Sequence, residues 1–282
     1  MLAPLLLAAA QLFAPPAKPA PPVDCRFDHV TLTFAGTPKE QARCLLRHVE
    51  PGGAALPEAA LPPTLERLVG ERPQIDFVRL AAALRAARIP LPAASPVSET
   101  SDHRRAAYFV IHDTSSPYIG TEPFAPNFDR SVKYNDINQF LGKDAVAHIF
   151  NDRLGRVSVG HDFEVGWRAT KLERAVGEAA RGRFLHIENL QPRRADPDGP
   201  PKNDRIGPHP GFTDRQYRTL GLLYVLASAR LGQWMVPGFH ANIDRGIPLA
   251  HDDPQHFDLA KFDQEVARWV LRLQRRDFGS AD

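Results

Sequence analysis

Ala106 to Ile111, AAYFVI, sets the first constraint on what this chain can fold into. Six apolar residues with aromatic and β-branched members are too few for a core helix and suit a buried strand. The run ends on His112, followed by Asp113, Thr114 and Ser115. In open α/β sheets functional groups gather at strand ends, which makes His112 a candidate site residue. The alternative is a core histidine satisfied by a backbone carbonyl.

Other runs repeat the pattern. Trp234 to Phe239 reads as a short strand that ends on His240. His240 lies in Gly238 to Asp258, GFHANIDRGIPLAHDDPQHFD, which also holds His251, His256, Asp252, Asp253 and Asp258. Imidazoles and carboxylates in that density are the raw material of a zinc site or of acid–base chemistry. Phe184 to Leu190, FLHIENL, is a further strand carrying Glu188, and a carboxylate there is costly unless it is paired or faces a cleft. AVAHIFND and GRVSVGHD read as a hairpin joined through Asp152 to Gly155. Thr213 to Gln216 is a capping box. It opens a helix whose apolar stripe is Tyr217, Leu220, Tyr224, Ala227 and Leu231, so both tyrosines are read as core. A last amphipathic helix runs from about Leu259 to Leu273, with Asp258 as its N-cap. Two long segments without periodicity, 117–143 and 191–212, are read as loops that shape a site. The expected fold class is α/β, a mixed central β-sheet flanked by helices.

The front third differs. It holds 15 of the 27 prolines. Residues 2–14 form an apolar run too short to span a bilayer, followed by PPAKPAPP. We read residues 1–22 as a signal segment and Pro-rich linker, hence an exported, periplasmic or cell-envelope protein, although a positive leading region is missing. Cys25 and Cys44, the only cysteines, then read as a disulfide. Residues 23–100 are expected to form a small N-terminal α+β domain. In it, CRFDHVTLTFAG supplies a strand with Val30, Leu32 and Phe34 on one face. Two helices follow, over Thr37 to Val49 and from Asp76 to the stop at Pro90. The remaining 101–282 form the domain that carries the chemistry. A formal net charge of +2, with scattered arginines, argues against a nucleic-acid partner. Beyond residues 1–22, the sequence offers no candidate for a membrane span.

Two strand-terminal histidines far apart in sequence, with an acidic loop after the second, match the layout of a catalytic zinc site. Such sites use three protein ligands and keep a position for water. In family order, YFVIHDTS, AHIFNDRLGRV, HIENL, FTDRQYRTL and GFHANID with HDDP resemble the zinc-dependent N-acetylmuramoyl-L-alanine amidases. Their fold is shared with phage lysozyme-amidases and peptidoglycan recognition proteins. The resemblance covers about residues 106–258. It implies Zn2+ held by His112, His240 and Asp253, with Glu188 activating the water and His251 donating to the oxyanion. His251 in place of Asp253 as third ligand stays open. It further implies His148, Trp167 and Arg168 as substrate contacts, and peptidoglycan or muropeptides as partners. The implied reaction is cleavage of the amide between N-acetylmuramic acid and L-alanine by a zinc-bound water. Two alternatives remain: a peptidoglycan-binding or sensing module without turnover, and a zinc peptidase acting on stem peptides. The chain departs from the family at Asp113, where a second histidine is usual. It departs again at Trp167-Arg168-Ala169-Thr170, where the family has W-H-A-G, and at Gln255, where it has Gly.

Overall fold

A computed structural model describes residues 25–50, 57–58, 60–91, 96, 106–141, 145–199 and 205–274. The signal segment expected over 1–22 lies outside the described residues. In chain order the elements begin with β1 (Phe27–Asp28), β2 (Thr33–Phe34), α1 (Pro38–Leu45), α2 (Pro63–Leu68) and α3 (Phe77–Ala86). Next come β3 (Tyr108–Asp113), α4 (Val132–Asn135), β4 (Ile149–Asn151), β5 (Val157–Val159), α5 (Lys171–Val176) and β6 (Phe184–Asn189). The last are β7 (Arg194–Ala195), β8 (Arg205–Ile206), α6 (Asp214–Leu231), β9 (Val236–Phe239), α7 (His240–Ile243) and α8 (Leu259–Leu273).

The centre is a mixed five-stranded sheet in the order β5-β4-β6-β3-β9. Only the β4–β5 hairpin is antiparallel; β4, β6, β3 and β9 run parallel. The strands β3 and β6 are buried at every position, as parallel strands covered on both faces must be. Their register sets His112 opposite Glu188, and Ile111 opposite Phe239 on β9, so His112 and His240 emerge at the same end of the sheet. The capping boxes at Thr37, Thr170 and Thr213 each satisfy backbone donors at a helix start. Asp258 caps α8, as expected, through the Lys261 amide.

Described residues within 23–100, the segment expected as a small N-terminal domain, share one apolar core with the sheet and with α6 and α8. The α1 helix lies against β9, where a Cβ on Gly238 would come within 3.0 Å of Leu45 Cβ. Pro62 offers α2 no side-chain cap. Asp263 of α8 accepts the Thr64 and Leu65 amides instead. Tyr108 Oη on β3 accepts from the Phe34 amide and donates to Gln41 Oε1. The disulfide Cys25–Cys44 ties the start of this segment to α1, with Cα atoms 5.7 Å apart. Closing a loop of that length stabilises by about 3 kcal/mol in the chain-entropy view.

Two local expectations change. The single strand across 25–36 is a two-residue ladder on each side of a turn, β1 paired with β2. Asp28 accepts the Val30 and Thr31 amides, which closes the turn and leaves Val30 on the surface. The segments 117–143 and 191–212 are not wholly irregular, because α4 lies in the first and β7 and β8 pair within the second. Among the described residues no helix is long and apolar enough to cross a membrane.

Candidate metal centre

His112 comes from β3, His240 from the β9–α7 junction and Asp253 from the segment before α8; all three are buried. The two histidines face each other through Nδ1, 3.0 Å apart. Asp253 Oδ2 lies 3.2 Å from His240 Nδ1 and 3.6 Å from His112 Nδ1. In a tetrahedral site with bonds near 2.0–2.1 Å, neighbouring ligand atoms stand about 3.3 Å apart. The three edges bracket that value, so the group fits a metal ion in size and donor chemistry. Asp253 Oδ1 strengthens the fit. It is buried with no hydrogen-bond partner among the described residues, although His240 Nδ1 is 2.9 Å away, a contact without alignment. A buried acceptor of this kind costs stability unless something meets it.

Without a metal the cluster must hold a proton between its two imidazoles. Burial pushes His112 well below the ordinary histidine value, and the neighbouring His240 pushes it further. Burial opposes charge on His240 too, yet Asp253 and Asp244 on either side raise it to about 10. His240 therefore carries the proton and His112 stays neutral. Asp253 is held well below the carboxylate range, because the charge and hydrogen bond of His240 outweigh its burial.

Glu188 sits beside this group, its Oε1 3.7 Å from His112 Nδ1. Burial and then the charge of Asp253 hold its carboxyl well above the usual range. Its Oε2 is buried with no hydrogen-bond partner among the described residues. His251 occupies the rim: its side chain is 57% exposed, its Nδ1 is 3.6 Å from Asp253 Oδ1, and its ring lies 4.7 Å from that of His240. Asp253, not His251, thus completes the buried triplet.

The other three candidates are not members of the buried triplet. His148 is fully buried and both ring nitrogens are engaged: Nδ1 accepts the His186 amide and Nε2 donates to the Val165 carbonyl. His148, expected as a substrate contact, has no exposed surface in this structure. Trp167 stacks on His161 with ring centres 3.9 Å apart, and Arg168 pairs with Glu178 at 2.7 Å.

Several participants were not singled out from sequence. His112 Nε2 meets His186 Nδ1 at 3.1 Å, and His186 Nε2 meets Glu173 Oε2 at 3.1 Å. His240 Nε2 meets Asp244 Oδ2 at 2.9 Å. His186 was detectable: two residues before Glu188 on one strand, it must share that residue's face. Asp113 has a task of its own. Its carboxylate accepts from Arg193 and from the Gln255 amide, while its own amide donates to Asp253 Oδ2. The pair Asp113–Arg193 thereby holds the 253–255 segment against the end of β3. No protein-family model, curated protein or solved structure matches the chain.

Proposed function

We propose that this protein is an exported zinc amidase that cleaves the bond between N-acetylmuramic acid and L-alanine in peptidoglycan. One observation carries the reading. A buried His112–His240–Asp253 group with tetrahedral edge lengths stands next to a buried carboxylate, Glu188, that has an uncommitted oxygen. The ordered motifs from YFVIHDTS to HDDP, the mixed sheet and the disulfide expected of an exported chain agree with it.

His112 and His240, through Nδ1, and Asp253 would hold the ion. A bound divalent metal supplies Lewis acidity, bringing the ionisation of a coordinated water towards neutral pH and polarising a carbonyl. Glu188 is placed to take a proton from the attacking water and return it to the departing amide nitrogen. A buried carboxylate with an uncommitted oxygen beside the ligands can accept and return a proton there. His251, at the rim, is placed to donate a hydrogen bond to the carbonyl oxygen as negative charge develops there. Asp113 and Arg193 keep Asp253 in register with the two histidines.

Digestion of purified sacculi with the zinc-loaded protein, with products identified by mass spectrometry, tests the reading. Free stem peptides beside intact glycan are expected. Cut cross-links would make it a zinc peptidase, and retention on sacculi without products would make it a binding module.

A further inference from the structure

Both histidines of the metal group turn Nδ1 inward, so both Nε2 atoms face the protein, and each meets an acceptor. The two acceptor lines converge on one short element, α5. Asp244 takes the Nε2–H of His240, and its carboxylate is held by the amides at the start of α5, Lys171 N at 3.0 Å and Leu172 N at 2.8 Å. Glu173, within α5, takes the Nε2–H of His186 on its Oε1 at 3.3 Å, and His186 Nδ1 in turn accepts from His112 Nε2. Glu173 itself cannot swing. Its Oε2 accepts the Ala169 and Thr170 amides and the Thr170 hydroxyl. Asp244, Glu173 and His186 are all fully buried.

The proton placement is consistent along each line. The His148 Nδ1 accepts the His186 backbone amide, and the two rings stack at 5.5 Å, which fixes the plane of His186. With Glu173 accepting, the hydrogen of His186 sits on Nε2 and its Nδ1 is an acceptor. His112 must then carry its hydrogen on Nε2 and present a bare Nδ1. Asp244 imposes the same tautomer on His240.

We propose that α5 is a clamp: Glu173, through His186, and Asp244 are positioning residues that set the tautomer and orientation of both histidine ligands. The assignment rests on the metal reading of the preceding section and adds the residues that pre-organise it. A carboxylate behind a ligating histidine raises its basicity and fixes its ring, and losing such a partner weakens metal binding by about 10–100-fold.

The test uses the full chain with zinc in competition with a chromogenic chelator, and Co2+ absorption as a report of ligand geometry. The variants Glu173→Gln and Asp244→Asn are chosen because an amide oxygen can keep the Ala169 and Thr170 contacts of Glu173 Oε2 and the Leu172 contact of Asp244 Oδ1. Its NH2 group, however, opposes an N–H donor of His186 or of His240. Each is expected to lose about 10–100-fold in zinc affinity and to shift the Co2+ spectrum, with an unchanged near-ultraviolet circular dichroism. Zinc bound by both variants as tightly as by the wild type, with the same Co2+ spectrum, overturns the clamp alone. No zinc bound by the wild type removes the metal reading and the clamp with it. A measurement free of variants covers the case of misfolding: 15N–1H correlation of the imidazoles in the zinc-loaded wild type. Nδ1 coordination with Nε2–H on both ligands is expected, and either ligand bound through Nε2 overturns the proposal.

Discussion

Glu188 and His251 separate by burial, and their substitutions should separate by phenotype. Glu188→Gln removes the proton acceptor and leaves all three candidate ligands in place. Turnover on sacculi should fall by about 10²–10⁴-fold while bound zinc, measured by atomic emission, stays at wild-type content. His251→Ala should lower kcat by about 10²–10³-fold, also with zinc retained, as an exposed hydrogen-bond donor would. Loss of zinc from His251→Ala would instead make it a ligand. His240 sets the pH dependence of metal uptake. Its pKa in the metal-free protein, about 10, means that the ion must displace a proton at any lower pH. Zinc affinity should therefore fall about tenfold for each pH unit below 10 until another ligand titrates. Calorimetry in buffers of different ionisation enthalpy should show about one proton released from this group at pH 8. An affinity flat between pH 7 and 9 would contradict that placement of the proton. At this scale the sequence was informative for residues on strands. His112, Glu188 and His240 stand at ends or breaks of apolar runs, where polarity is conspicuous. Glu173 and Asp244 look like ordinary helix and loop acids, because nothing local says which imidazole they face.

The segment around Asp253 depends on partners distant in the chain. Arg193 and Asp113 are both almost completely buried and 2.8 Å apart, and Asp113 also accepts the Gln255 amide. Arg193→Ala leaves a buried carboxylate unpaired, which should cost about 3–5 kcal/mol in denaturant unfolding. It should weaken zinc binding as well, since the Asp113 amide donates to Asp253 Oδ2. Wild-type stability in that variant would mean that water replaces the guanidinium. One capping box, Thr213–Gln216, made the start of α6 legible, because the signal is complete within four residues. The β1–β2 turn was not legible. Alternating Val30, Leu32 and Phe34 imitate a strand, and the local bonds from Asp28 override that alternation.

Across the whole molecule, the N-terminal segment meets the sheet through α1 and the Tyr108 hydroxyl. Burial raises that hydroxyl from its ordinary value near 10 to about 12. The unfolded chain then releases this proton before the folded one does. The stability that Tyr108 contributes is fully present below pH 10 and is lost as pH rises from 10 through 12. Tyr108→Phe should lower stability at pH 7 by about 1–3 kcal/mol, by leaving the Phe34 amide and Gln41 without this partner. It should also flatten the alkaline limb of the stability curve, measured by chemical denaturation at stepped pH. An unchanged limb would assign the alkaline loss to other groups.

Sequence alone determined the types of the longer elements and several residues with unusual chemistry, because apolar periodicity and capping patterns act over a few neighbours. It pointed to a mixed sheet with histidines at strand ends and to the Cys25–Cys44 pairing. Only the tertiary structure decided that residues 25–91 share the common core, since apolar faces do not name the surface they cover. It also decided which of the acids near His240 joins the two histidines, and which groups stand behind the imidazoles. Those choices depend on the register of β3 with β6 and β9, and on the path of the chain from α7 to α8. Such contacts join residues more than a hundred positions apart, as His112 and His240 are, and no local pattern encodes them.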